Sequence, residues 1–161
     1  MTLPKRLTEE LHQRAPFAGI EEVAYLEILR TADHLTRIIS DTLRRERLSA
    51  TQYNALRILR GAGPAGLPCG TVGDRMITRD PDITRLLRRL EEAGHLSRTR
   101  SGDDRRVVVA RITDQGRAAL LRLDAPVDAA IRAALAHLGA ARLDALIAGL
   151  EEVRSGPERA S

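Results

Sequence analysis

Apolar residues recur at helical spacing through most of this 161-residue chain. Residues 1–19 are polar and contain two prolines, which predicts a loose arm that orders only on docking. From Glu21 to about Leu48 the spacing indicates a long amphipathic helix. Ser49 is suited to cap a second helix, and Gly61 is suited to end it. The first part of the chain is therefore predicted to hold two consecutive helices.

The helical pattern is clearest near the middle of the chain. Asp80 is suited to cap a helix there, Pro81 fits its first turn, and Gly94 should end it. Its apolar residues follow at spacings of three and four positions and are Ile83, Leu86, Leu87 and Leu90. One face of this helix should pack in the core, which leaves a polar face exposed. That polar face carries Asp82, Thr84, Arg85, Arg88 and Arg89.

A short helix before this one and a β-hairpin after it complete the central region. Pro68 fits the first position of the short helix, which should end near Met76. The runs Leu96–Arg100 and Val107–Ile112 flank a turn of serine, glycine and aspartate, a pattern typical of a two-stranded hairpin. Helix, turn, short helix, turn, basic helix and basic hairpin is the element order of a winged helix-turn-helix domain.

Two further helices should follow the hairpin. Thr113 is suited to cap the first of them, and Pro126 should kink or divide it near residues 123–125. The second is predicted over about residues 141–153. The predicted fold class is therefore mostly α with a small β-hairpin wing, in which long N- and C-terminal helices flank the winged helix-turn-helix domain.

The net charge of the protein is concentrated in its central region. The formal net charge is +4, and residues 75–111 contain ten arginines against six acidic residues, so this stretch accounts for all of it. Such a basic face is expected to bind a polyanion such as DNA. The alternative is a solvated surface, because nearly every basic residue in the chain is arginine.

Composition and motifs argue against several other classes of protein. No apolar run approaches the roughly 18 to 20 residues of a membrane span, and the charged start is unlike a signal peptide, so we predict a cytoplasmic protein. One cysteine and four scattered histidines predict neither an internal disulfide nor a metal site. Catalytic pairs and phosphate-binding glycine loops are not recognisable, so we expect neither an enzyme nor a cofactor.

Three central segments resemble MarR-family transcriptional regulators. They are residues 80–94 (DPDITRLLRRLEEAG), 104–109 (DRRVVV) and 112–116 (ITDQG). In that family the corresponding segments are the recognition helix, the wing and the exit from the wing. The resemblance covers about residues 49–120, and the flanking long helices match the family's dimerisation region in length and position.

The resemblance implies a homodimeric, sequence-specific DNA-binding regulator, for which repression released by a small effector is the commoner mode. Residues 1–48 would form an arm and dimerisation helix, 49–113 the DNA-binding domain, and 114–161 the C-terminal dimerisation helices. The two domains would read half-sites of a pseudo-palindromic operator about one helical turn, roughly 34 to 36 Å, apart. A winged-helix module that binds a protein, and a redox-sensing regulator that acts through Cys69, are the alternatives.

The recognition helix supplies the strongest DNA-binding candidates. Thr84, Arg85 and Arg88 should contact bases or phosphates, because arginine reads guanine through paired donors. Asp82 should pair with Arg85 and Arg89 within the helix, or accept a hydrogen bond from cytosine.

The wing and the domain periphery supply further candidates. By the family motif, Asp104 holds the guanidinium of Arg106 as this side chain enters the minor groove, and Arg105 lies beside it at the tip. Thr51, Gln52 and Thr71, near the starts of two helices, are candidates for phosphate contacts. Arg79 and Arg98 flank the motif and are either phosphate clamps or solvated charges.

The resemblance also implies a crevice for a small aromatic or phenolic effector. By position, its candidate lining residues are His34, Arg37, Ile38, Tyr53 and Arg57, although each is more often a core or surface residue. Cys69 lies at a predicted helix N-terminus, where the dipole can lower the pKa of a thiol. We favour a small packed residue for Cys69, because free cysteine is commonly buried.

Overall fold

A computed structural model describes residues 5–12, 16–78, 82–100 and 106–156. In this part of the chain the helices are α1 Lys5–Glu10, α2 Ile20–Leu43, α3 Ala50–Gly61, α4 Cys69–Asp74, α5 Ile83–Glu92, α6 Asp114–Leu135 and α7 Ala140–Ser155. The strands are β1 Leu67–Pro68, β2 Leu96–Arg100 and β3 Val108–Ile112. The fold is thus mostly α with a small antiparallel sheet, as the sequence predicted.

Two compact units divide the chain between Ile38 and Ile39. In the first unit, the prediction of a loose arm over residues 1–19 is wrong for residues 5–10, which form α1. The side chain of Leu7 is only 1% exposed, and Glu10 accepts a 2.9 Å hydrogen bond from Arg30 on α2. Apolar burial and this ion pair order the segment within its own chain.

The long helix α2 ends at Leu43, earlier than the predicted Leu48. A 3₁₀ turn, Arg44–Glu46, follows it, and Arg47 then adopts a left-handed conformation with φ of 56°. A residue with positive φ cannot continue an α-helix, so the apolar spacing overshoots the true end.

Helix α3 begins as predicted at the Ser49 cap. The Ser49 hydroxyl accepts from the Gln52 backbone N–H at 3.2 Å, and the Gln52 side-chain oxygen accepts from the Ser49 N–H at 2.9 Å. These reciprocal bonds form a capping box, which fixes the first turn of the helix. At the other end of α3, the guanidinium of Arg60 forms hydrogen bonds of 2.7 and 3.0 Å with the Asp124 carboxylate on α6.

The sheet has the strand order β1-β3-β2, so it contains a strand that the sequence analysis missed. In β1, Leu67 pairs with Ala110 and Pro68 with Val109 on β3. Pro68 therefore ends a strand and precedes α4 instead of occupying its first position. A Cβ on Gly66, whose φ is 71°, would collide with the Ala110 carbonyl oxygen, so only glycine allows β1 to approach β3 here.

Helix α6 runs unbroken through Pro126. Of the two effects predicted for this proline, a kink or a division of the helix, the division is therefore wrong. Proline removes one backbone donor, and the burial of Leu123 and Val127 on either side holds the helix against the core.

No single helix in the described chain is long and apolar enough to span a membrane. Only the segments Asp114–Leu138 and Ala140–Ser155 together, bent by 101°, meet that test by length and composition.

The core of the second unit lies between α3, α4, α5, α6 and the sheet. Its fully buried side chains include Leu56, Leu59, Leu87, Leu90 and Leu120. This packing fixes the direction in which the polar face of α5 points.

Candidate nucleic-acid interface

Helix α5 begins two residues later than the sequence predicts. Asp82, and not Asp80, is its cap: the Asp82 Oδ1 accepts a 2.9 Å hydrogen bond from the Arg85 N–H. This role also differs from the two that we expected for Asp82, because its carboxylate satisfies a backbone donor of the first turn. Asp80 and Pro81 lie outside the described residues.

The two faces of α5 separate as the apolar spacing predicts. Leu86, Leu87 and Leu90 are buried, and Ile83 packs partly buried against the same core. The opposite face exposes Thr84, Arg85, Arg88 and Arg89. The Arg88 Nε lies 3.7 Å from a Glu92 carboxylate oxygen, a loose contact between exposed side chains. Three arginines on ten residues of helix give this face a strong positive potential.

The start of α3 and the exposed face of α5 line a groove of about 390 Å³. Its walls are Ser49, Thr51, Gln52, Asp82, Arg85, Leu86 and Arg89. The structure thus brings Thr51 and Gln52, both predicted from the sequence, beside Asp82 and Arg85. The Thr51 hydroxyl lies 2.9 Å from that of Ser49, and the capping box holds the side-chain oxygen of Gln52.

The turn between α4 and α5 is held by a residue that sequence reasoning missed. The Asn54 side-chain oxygen on α3 accepts a 2.9 Å hydrogen bond from the Ile77 N–H. An amide-bearing residue within a helix gave no signal by itself, since its partner lies 23 residues away. Thr71, predicted as a phosphate contact, lies half-buried on α4 and does not line the groove.

Arg98 is half-buried and forms an ion pair within its own domain. Its Nε and Nη2 donate to Glu91 Oε2 at 2.9 and 2.7 Å, and its backbone N–H donates to Glu91 Oε1 at 2.9 Å. The two sequence-based alternatives, a phosphate clamp or a solvated charge, did not include this pair. It joins the end of α5 to the first strand of the hairpin.

We expect Arg98→Gln to lower the free energy of unfolding by about 1 kcal/mol at neutral pH, because it removes a charge-assisted hydrogen bond. Hydrogen bonds from Arg98 hold the pKa of Glu91 below its usual 4.5. The pair therefore stabilises the folded protein at pH values above the usual pKa of Glu91. This contribution is lost as the pH falls through the lower pKa that Glu91 has in the folded protein.

Urea denaturation followed by circular dichroism, between about pH 3 and pH 7, tests this expectation. The difference in the free energy of unfolding between variant and wild type should become smaller toward acid pH. Arg88→Gln, which removes only the loose Glu92 contact, is the matched control and should change stability by less than about 0.5 kcal/mol. A gap that stays constant with pH would contradict the role of the ion pair.

The wing is described in part. Arg106 lies exposed in a turn just before β3. Arg79, Asp104 and Arg105, and with them the predicted Asp104–Arg106 pair, lie outside the described residues. At the middle of the sheet, Arg111 donates to the Thr99 hydroxyl at 2.7 Å and to the Pro64 carbonyl oxygen at 3.3 Å.

The residues predicted to contact an effector have unequal exposure. His34 and Arg37 are exposed on α2, where Arg37 pairs with Asp33 at 2.8 Å, and Ile38 is half-buried. In the second unit Tyr53 is buried, and the exposed Arg57 guanidinium lies 5.8 Å from the centre of its ring. Burial raises the pKa of the Tyr53 hydroxyl.

Cys69 is partly buried at the start of α4 and packs against the core. Burial raises the pKa of its thiol, which is opposite to what a reactive thiolate needs. The packed role, which we favoured from the sequence, agrees with this environment.

Comparison with known proteins decides the family. The MarR family pattern matches residues 48–108. A MarR transcription factor from Planctomyces limnophilus is 39% identical, with a TM-score of 0.65, and the match covers 84% of this chain and 98% of that one. This chain belongs to the MarR family. It is a transcriptional regulator, and the family's members are not enzymes.

Two further solved structures share the fold of this MarR-family chain. The transcriptional repressor CouR, bound to a 23-mer DNA duplex, is 25% identical with a TM-score of 0.74, and the match covers 88% of this chain and 99% of that one. The organohalide-sensing regulator RdhR-CbdbA1625, in its 2,4-dichlorophenol-bound form, is 15% identical with a TM-score of 0.80, and covers 89% and 86%. A search of curated proteins gave no match.

Proposed function

We propose that this MarR-family regulator binds a pseudo-palindromic operator as a homodimer and represses transcription until a small effector releases it. The observation that carries this proposal is the α5 face, which exposes Arg85 and Arg89 on the wall of the groove shared with the start of α3. A basic helix face of this shape suits the major groove, while the α3 terminus suits the phosphate backbone.

The DNA contacts in this proposal come from three places. Thr84, Arg85 and Arg88 read bases or phosphates, and Thr51 and Gln52 approach the backbone. Arg106, with Asp104, Arg105 and Arg79, extends contact to the minor groove and flanking phosphates. CouR, a repressor solved on duplex DNA, gives a precedent for this fold on DNA. Arg98 is left out of the set because Glu91 engages its guanidinium.

The homodimer in the proposal rests on α7, a helix that buries little within one chain. Helix α7 has no buried residue, and Leu146, Ile147 and Val153 on it are 43%, 53% and 65% exposed. A 16-residue helix with no buried side chain gains little by folding against its own chain. We therefore assign residues 114–161, together with 1–48, to dimerisation and residues 49–113 to DNA binding. We further assign the regulator to the cytoplasm, where the DNA is.

The two half-sites in the proposed operator are about one helical turn apart, which sets an operator of roughly 16 to 20 base pairs. The proposed effector is a small aromatic or phenolic molecule, in line with the 2,4-dichlorophenol bound to the RdhR-CbdbA1625 regulator. Its candidate contacts remain His34, Arg37, Ile38, Tyr53 and Arg57.

Titration of the purified protein against its own upstream intergenic DNA and a scrambled duplex, at two salt concentrations, tests the proposal. Tight, sequence-selective and salt-sensitive binding is expected, because phosphate contacts release counterions. Equal weak binding to both duplexes would favour a protein partner for the basic face.

Arg106→Ala should weaken binding to the selected duplex more than about 10-fold, or over about 1.4 kcal/mol, because a guanidinium is lost from the wing. The circular dichroism spectrum should not change, since Arg106 is exposed. The matched control is Arg132→Ala, which removes the same charge from an exposed position on α6. Unchanged DNA affinity for the Arg106 variant would exclude the wing from the interface.

A further inference from the structure

A second cavity, of about 430 Å³, lies at the end of α5 away from the DNA-facing groove. Its walls come from the segment after α2, the turn after α5 and the first turns of α6. The lining residues that matter here are Arg45, Glu46, Arg47, His95 and Arg122. Cavities of this volume are of the size that encloses small organic molecules.

The charges on the cavity wall are unbalanced. Three arginines face a single carboxylate, that of Glu46, which leaves an excess of two positive charges. Glu46 pairs with Arg122: its two oxygens accept from Nε and Nη2 of Arg122, each at 2.7 Å. In the part of the chain that the structure describes, the guanidiniums of Arg45 and Arg47 have no hydrogen-bonding or ion-pair partner. The cavity wall thus carries positive charge that the described part of the chain does not neutralise.

The backbone that carries these arginines is held in an uncommon conformation. Arg47 has a φ of 56°, and its N–H donates to the Arg44 carbonyl oxygen at 3.1 Å. Left-handed geometry costs free energy in a residue with a Cβ, and such residues cluster at ligand sites. Here it directs the chain from the 3₁₀ turn, Arg44–Glu46, into the α3 cap.

His95 adds an unsatisfied polar group to the same cavity. His95 is one of the lining residues, and among the described residues its buried Nδ1 has no hydrogen-bond partner. Buried polar atoms are nearly always paired, so an unpaired one indicates a partner that the chain itself does not supply.

We propose that this cavity binds a small organic dianion, such as a dicarboxylate or a phosphate monoester, between Arg45, Arg47 and Arg122. Guanidinium groups match carboxylate and phosphate oxygens through paired hydrogen bonds. Two negative charges balance the excess on the wall, whereas a DNA phosphate carries only one. The site shares Gln52 with the groove on α5, but its three arginines line neither that groove nor the positions predicted to contact an aromatic effector. Dianion binding to this cavity can be measured in the absence of DNA.

Isothermal titration calorimetry on the full chain without DNA provides the test, with succinate and inorganic phosphate as dianionic probes and acetate as a monoanion, at constant ionic strength. At least one dianion should bind saturably, and acetate should bind about tenfold or more weakly. The variant Arg45→Gln/Arg47→Gln should lose about tenfold or more in dianion affinity. Arg75→Gln, at an exposed position just after α4 and not on the cavity wall, is the matched control and should bind as the wild type does.

Glu46→Gln provides a second variant, which should change dianion affinity in the opposite direction. Because it removes the competing carboxylate and releases Arg122, it should tighten dianion binding. The proposal is overturned if neither dianion binds saturably, if the double arginine variant binds as the wild type does, or if Glu46→Gln weakens binding. If duplex DNA alone depends on Arg45 and Arg47, the cavity is a seat for the DNA backbone, and the proposal is likewise overturned.

Discussion

Gly116→Ala is expected to lower the free energy of unfolding by about 1 to 3 kcal/mol, although alanine normally favours a helix. Gly116 is buried in the first turn of α6, and an added Cβ would collide with the backbone carbonyl oxygen of His95. It would also lie 2.8 Å from Cγ1 of Ile112. Neither atom can withdraw cheaply, because both belong to the packed junction of sheet and helix.

The junction is rigid because several hydrogen bonds converge on it. The Thr113 hydroxyl donates to the Gly94 carbonyl oxygen at 2.6 Å and accepts from the Gly116 N–H at 3.1 Å. The Thr113 N–H donates to the same His95 carbonyl oxygen that faces Gly116, at 3.1 Å. A shift large enough to admit a methyl group would therefore break the cap of α6.

Urea denaturation followed by circular dichroism, at one protein concentration, measures the effect. Gly61→Ala is the matched control: Gly61 ends α3, is exposed, and a Cβ there would meet nothing within 4 Å. The free energy of unfolding of the Gly61→Ala variant should equal that of the wild type or exceed it by up to about 1 kcal/mol. If the Gly116 variant and the wild type have equal free energies of unfolding, the backbone around His95 and Ile112 can move to admit the methyl group, and the prediction is wrong.

Arg85→Ala is expected to weaken operator binding by about 1 to 3 kcal/mol and to relax base preference at one position in each half-site. Arg85 is exposed on α5, lines the groove beside Gln52, and lies in the first turn of the helix. Recognition helices contact base edges near their N-terminal ends. Arginine pairs its donors with guanine, so its loss should remove one base from the recognised sequence.

The measurement is a titration against a duplex selected from random sequence by the wild type, and against variants of it at each position. Arg132→Ala controls for the loss of a charge away from the groove. If Arg85→Ala weakens binding equally for all sequences, the side chain contacts phosphate and the base readout lies elsewhere. The helix cap does not depend on the Arg85 side chain, because Asp82 accepts from its backbone N–H. Folding should therefore be unaffected.

Elements with strong local signals were predicted correctly from the sequence. Ser49 and Thr113 both cap the helices assigned to them, and Leu86, Leu87 and Leu90 bury the face of α5 that their spacing indicated. Such features involve residues a few positions apart, so the pattern of residue types contains the whole interaction.

Errors arose where a distant partner decides the structure. β1 exists because β3, more than 40 residues later, supplies its hydrogen bonds. Arg98 turns inward because Glu91 is folded against it, and Asn54 finds its partner only across the turn before α5. The unbroken course of α6 through Pro126 likewise depends on packing beyond the local sequence. The error at the start of α5 is of another kind, because the Asp82 cap is a local hydrogen bond to the Arg85 N–H and the sequence offered two aspartates for that role.

The residue pattern along the chain was enough to predict the order of elements, the basic character of the centre and the buried face of α5. Only the folded chain shows which arginines face outward, which pair internally, and which surround the cavity beside His95. The reason is physical. Periodicity and capping are local properties, whereas the partner of a long charged side chain is set by the fold that brings distant segments together.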